Sequence, residues 1–235
     1  MTDARARRPI PLALTMLIAV FSALVALAVS GGPHAHAATG QADTHATHFQ
    51  QQASISGSEF ALRMDMRRLW EDHVTWTRLA IISLTTDSPD TKATVARLLE
   101  NQTDIGNAIK TYYGAAAGAK LTALLRRHIL IAADLIAAAK KGDQPGTSAQ
   151  AARWTANADQ LATLLASANP TYWKLGSMKA MLHDHLRLTT DEVLARLKQH
   201  WSADVTAYNR VNRQALSMAD MLSSGIIGQF PSRFR

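Results

Sequence analysis

From residue 58 onward, apolar residues recur every three or four positions, the spacing of helices that bury one face. In 59–85 the residues sharing a face are Leu62, Met66, Trp70, His73, Thr77, Ile81 and Leu84. His73 stands near the middle of that stripe, where a leucine would be usual. The same local word, two apolar residues followed three positions later by a histidine and another apolar residue, returns at Leu124-Leu125 before His128-Ile129 and at Met181-Leu182 before His185-Leu186. The three histidines are 55 and 57 positions apart. Between them runs a second polar series, Asn101, Asn157 and Asn212, each with an apolar residue four positions on (Ile105, Leu161, Leu216).

Histidine and asparagine therefore alternate at steps of 27 to 29 residues, each step long enough for one helix and a short loop. The pattern predicts an all-α, up-and-down bundle of about six helices, most simply three tandem αα-hairpins near 59–113, 118–168 and 176–224. Glycine, proline and polar clusters mark the breaks at 85–90, 114–118, 141–148 and 168–177. A helix over 178–224 would be ~70 Å long at 1.5 Å per residue, so a further break is expected near 199–202, with Ser202 as N-cap. The competing position is 188–190, where Thr189 and Glu192 make a capping box. The tail is expected to leave the helix at Gly225 and fold Phe230 and Phe234 back onto the bundle.

The segment before residue 58 has another pattern. Arg5, Arg7 and Arg8 precede an apolar run over 12–29, and Ala35-His36-Ala37 forms a small-x-small cleavage site. Residues 1–37 thus read as a signal peptide, 38–57 as a flexible linker and 58–235 as the helical domain. The expected location is outside the cytoplasm (extracellular, periplasmic or cell-envelope), or anchored in the membrane if the run stays uncleaved. The Pro9 after Arg7-Arg8 favours the ordinary secretory route over a twin-arginine one. His34, His36, His45 and His48 make a loose tract in this region that offers weak transition-metal binding, although its plain reading is a polar segment, and the first two are lost with a cleaved leader.

The formal charge of +7 falls to +5 if the leader, with three arginines and one aspartate, is removed. The remaining basic residues are scattered along helices, which predicts no nucleic-acid partner and at most weak association with an anionic envelope. With no cysteine in 235 residues, disulfides, thiolate catalysis, cysteine-ligated clusters and covalent haem attachment are excluded. The core alone must hold the domain.

The segments LWEDHVTWTRLAIISL, RLLENQTDIGNAIKTYYG, RRHILIAADL and MADMLSSGIIGQFP resemble a family of small, often exported bacterial helical proteins, some of which carry the label acetylglutamate kinase. The resemblance spans most of 65–234 and implies a fold more than an activity. Kinase chemistry is not expected, because the chain has neither strand periodicity nor a G-x-x-x-x-G-K phosphate loop.

Neither a nucleophile elbow, a Glu-x-x-His pair nor a His-Glu-x-x-His motif is present. The chemistry left to the chain resides in its helix-centre histidines. The reading favoured by sequence is a satisfied His/Asn layer that fixes helix register in a structural or interaction module. The alternative is a metal or small-ligand site, for instance in an oxidoreductase, in which His73, His128 and His185 converge on zinc, copper or iron, and Glu192 or Asp204 adds a carboxylate. General acid–base catalysis comes third. No cofactor is assured. The five tryptophans, Met218 and Met221 read as core and helix-end packing.

Overall fold

The computed structural model describes residues 55–235. The leader and nearly all of the linker, with His34, His36, His45 and His48, lie outside the described residues. Five α-helices follow one another, α1 (Gly57–Thr86), α2 (Thr91–Lys141), α3 (Gln144–Ala168), α4 (Leu175–Leu197) and α5 (Trp201–Gln229), then a 3-10 turn (Pro231–Phe234). No strand occurs among the described residues. None of these helices is long and apolar enough to cross a membrane.

The count is five rather than six because the second and third expected helices are joined without a loop. α2 breaks at Gly114, whose φ of 85° and ψ of 168° are outside helical space and in a region open essentially to glycine alone. Its two limbs, 91–113 and 115–141, then run back along each other: Arg126 Nη1 donates to Leu99 O at 3.0 Å, and Leu98 shares a buried cluster with Ile129. Two glycines let the limbs touch. A Cβ on Gly118 would lie 2.7 Å from the Gly106 carbonyl oxygen, and one on Gly106 would lie 2.9 Å from that of Gly118. Gly118→Val is accordingly expected to cost about 1–3 kcal/mol by overpacking, read as a lower urea midpoint. Gly176→Ala, where nothing lies within 4 Å, is the control and should lose nothing. Equal midpoints for the two variants would show that the limbs do not depend on close approach.

The other ends are set by local chemistry. Ser56 caps α1 by accepting from the Glu59 N–H, and Asp143 caps α3 by accepting from Gly146 N. Gly142, with φ 73°, closes α2 while its N–H and that of Asp143 return to Ala139 O and Ala138 O. Between α4 and α5 the chain turns through Gln199 (φ 57°). The break thus falls where the spacing placed it, but His200 takes the N-cap position and Ser202 lies inside α5. Thr189 and Thr190 sit within α4, returning their hydroxyls to the carbonyls of His185 and Leu186. α5 runs past Gly225 to Gln229. Phe230 and Phe234 do fold back, against Tyr112 at 6.0 and 5.9 Å between ring centres.

Counting the limbs of α2 separately, six rods form a closed ring: successive rods pack together and α5 packs on α1. The α1–α5 seam is joined by three arginines. Arg63 donates to Ser224 at 3.0 Å, Arg67 makes a two-point bond to Asp220, and Arg78 reaches Asp204. One large apolar core fills much of the ring and includes Met66, Trp70, Leu161, Trp173, Met178, Val211, Met218 and Ile226. A smaller cluster is more telling. Ile81, Ile136 and Val193 meet one another, and each stands eight residues after one of the three histidines. The rods that carry those histidines, α1, the second limb of α2 and α4, therefore face one another at the same register.

Candidate functional site

His73, His128 and His185 are 4–5 % exposed and line one cavity of about 50 Å³. The residues one and two turns beyond each histidine explain where it lies. Four residues on, one helical turn along the same face, stand Thr77, Ala132 and Thr189; after another turn come Ile81, Ile136 and Val193, and all six line the cavity. The middle positions are too small to fill the space between the imidazoles and the branched aliphatic layer. At ~10–15 Å³ per water, the space accepts a few waters or one small guest.

Each ring is held at Nδ1 by an amide from the next rod. His128 lies 2.8 Å from Asn157 Oδ1, while the Asn157 N–H₂ group donates to Leu124 O at 3.1 Å. His185 lies 2.9 Å from Gln214 Oε1, and the Gln214 N–H₂ group donates to Met181 O at 3.1 Å. In both cases the carbonyl bond fixes which end of the amide faces the ring, so Nδ1 carries the proton and donates, leaving the Nε2 lone pair free. The acceptor carbonyl belongs each time to the residue four before the histidine.

At His73 two neighbours share the task. Asn101 Nδ2 donates to Leu69 O at 3.0 Å, again four residues before the ring. Gln102 Nε2 shares its two hydrogens among Leu98 O at 2.9 Å, Asn101 Oδ1 at 3.1 Å and His73 Nδ1 at 3.2 Å. Because an amide nitrogen only donates, Nδ1 of this ring accepts and its proton sits on Nε2, the reverse of the other two. Among the described residues no hydrogen-bond partner is found for any of the three Nε2 atoms.

Asn101 and Asn157 thus belong to the polar layer as the spacing predicts, but Asn212 does not. It is half-buried, and Gln214, two residues further round α5, takes the place. Gln102, Asn157 and Gln214 each follow their histidine by 29 residues. A constant interval between histidine and any amide, rather than asparagine alone, was the signal that would have found Gln102 and Gln214.

Burial holds all three imidazoles neutral. It lowers His73 and His128 to about 3, each assisted by the neighbouring rings, and it lowers His185 as well. The ring centres of His73 and His185 are 5.8 Å apart, tilted by 38°. Trp70 meets His73 edge-on at 5.5 Å and Trp154 lies 5.1 Å from His128. Two polar atoms of cavity-lining residues, Thr77 Oγ1 and Trp154 Nε1, are buried without a partner.

Glu192 and Asp204, the carboxylates the sequence offered to a metal, are taken up elsewhere. Arg78 Nη1 bonds Glu192 at 2.9 Å and also Asp204, its Nη2 bonds Asp204 at 2.7 Å, and Arg196 adds a contact to Asp204 at 3.2 Å. Both carboxylates are 1 % exposed. Burial pushes Glu192 up to about 7, whereas for Asp204 the same penalty is outweighed by bonds from Arg78 and Arg196, which hold it below the usual range. Arg78 also lies over the Tyr208 ring at 5.4 Å. The expected five-ligand set therefore divides into an imidazole cavity and an arginine–carboxylate cluster. Among the described residues, no three His, Asp or Glu side chains group as a ready-made metal site.

These features define a helical ring with a histidine-lined internal cavity. No protein-family model, curated protein or solved structure matches the chain.

Proposed function

We propose that this chain is an exported binding module, without catalytic activity, that holds a small guest in the cavity among His73, His128 and His185. The observation that carries this reading is the division of labour on His128 and His185: Nδ1 donates to an amide oxygen, which leaves the Nε2 lone pair free on residues that line an otherwise apolar space. Export rests on the leader pattern of 1–37, and the cell envelope is the setting proposed for the protein, with no nucleic-acid partner.

We also propose that the domain arose by triplication of an αα-hairpin. Shared offsets support this: a carbonyl at minus four, a small residue at plus four, an aliphatic residue at plus eight and an amide at plus 29 from each histidine.

The purely structural reading has its own support, because every amide also ties a neighbouring rod to a backbone carbonyl. Xenon and ethanol, used as probes of the space, separate the two. On the binding reading, both shift the methyl NMR signals of Ile81, Ile136 and Val193, and Ala132→Leu, which fills the cavity, removes the response. Methyl signals that do not move with either probe would leave the layer as a register device alone.

A further inference from the structure

The side chains lining the cavity carry free polar atoms of both kinds. His128 and His185 hold their protons at Nδ1, given to Asn157 and Gln214, so each keeps a lone pair at Nε2. His73 is the opposite tautomer. Its Nδ1 accepts from Gln102 Nε2, which the bonds to Leu98 O and Asn101 Oδ1 identify as the amide nitrogen, and its own N–H is at Nε2. Trp154 Nε1 is a second N–H without a partner. Two donors and two acceptors thus belong to one space whose remaining walls are largely hydrocarbon.

That set selects a guest by charge and by hydrogen bonding together. A cation is opposed by the N–H groups of His73 and Trp154, an anion by the lone pairs of His128 and His185, and either charge by the hydrocarbon around them. A noble gas or an alkane fills the volume but pairs with none of the four. Ethers and carbonyl compounds only accept. A hydroxyl accepts and donates at a single atom, and the rings leave a place for one. With bonds of ~2.8–3.0 Å on either side, one oxygen shared by two imidazole nitrogens sets the ring centres roughly 5.5–7 Å apart. Those of His73 and His185 are 5.8 Å apart. One turn further along the rods, Thr77, Ala132 and Thr189 are small, and Ile81, Ile136 and Val193 close over them. That apolar remainder suits a short alkyl group better than a second water.

We infer that the guest is a short-chain alcohol such as ethanol, whose hydroxyl oxygen accepts from His73 Nε2–H and donates to His185 Nε2 while its alkyl group lies against Ala132 and the aliphatic layer. This rests on the binding reading above and gives its guest a chemical class. Binding is reversible and no covalent bond changes. With three heavy atoms, ethanol is expected to bind in the millimolar range, no tighter than about 0.5 mM.

The full chain, carrying nitrogen-15 in its histidines, is followed by NMR at about pH 7.5. His128 and His185 are expected to be protonated at Nδ1 and His73 at Nε2. Ethanol should move the ring signals of His73 and His185 saturably, whereas tert-butanol, too bulky for the space, should not. Dimethyl ether is the isomer of ethanol that accepts without donating. At saturation the His185 Nε2 signal should lie upfield with ethanol of its position with the ether; that contrast, or entry of ethanol with refusal of its isomer, supports the inference. The same His185 position with both guests, an equal response to tert-butanol, or a single tautomer on all three rings would overturn it. If ethanol is refused and xenon still enters, the space takes apolar guests and water only, and the alcohol assignment alone falls. If both are refused, the binding reading falls with it.

Discussion

Acidifying the protein from about pH 7.5 to about pH 5 is expected to remove about 2 kcal/mol of folding stability through each of His73 and His128, at 1.36 kcal/mol per pH unit. The sign is set by the direction of the shift. His73 and His128 titrate at about 3 in the folded chain, against ~6.5 when unfolded. Their contribution is fully present above ~6.5 and is lost as the pH falls toward 3, because the unfolded chain takes up protons that the folded one refuses. Glu192 acts in the opposite sense. Its folded value of about 7 is above the ~4.3 of an unfolded glutamate, so its stability is present below ~4.3 and is lost as the pH rises through 7. The net curve mixes both, and the informative quantity is a difference. Urea midpoints of wild type and His128→Gln, followed over this range, should converge on acidification by about 2 kcal/mol. Parallel curves would mean that His128 is not buried in its neutral form.

Arg78→Ala is expected to cost about 3–5 kcal/mol, the penalty for leaving buried charge without its partner. Glu192 and Asp204 are each 1 % exposed and share this one guanidinium, and Arg196 reaches only Asp204. Arg67→Ala on the same helix is the comparison. Its ion pair with Asp220 is exposed on both sides, so its loss should cost less than about 1 kcal/mol. Chemical denaturation of the two variants at pH 7 tests the contrast, and similar losses would mean that the Arg78 cluster is far better solvated than its burial indicates.

The two arginines also show where sequence reading reached its limit. Helical period exposed His73, His128 and His185 because a polar residue in an apolar stripe breaks a pattern that one helix sets for itself. The partners of Glu192 and Asp204 belong to no such pattern: Arg78 stands 114 and 126 positions away, and nothing in α4 or α5 points to α1. Proximity in sequence to His185 drew Glu192 toward the wrong cluster. Asn212 failed for another reason. Choosing by residue type overlooked that glutamine offers the same amide on a longer arm, and two residues of helix rotation separate Asn212 from Gln214. The missing loop in α2 was hidden because Gly114 and Gly118 look alike in sequence, though one supplies a positive φ and the other close approach. The cavity itself was legible in principle. Thr77, Ala132 and Thr189 are small residues at one offset, but a small residue signals a void only when its counterparts on other helices are known to face it.

Because the last rod lies against the first, the six-rod ring has a cyclic order in which no rod is intrinsically terminal. Five of its six joints are covalent; the sixth, between α1 and α5, is held by side chains alone: Arg63 to Ser224, Arg67 to Asp220, Arg78 to Asp204 and the apolar residues beneath them. This is the one joint that can part without bending a turn. α1 carries His73, so the wall most readily displaced is also one that bears an imidazole.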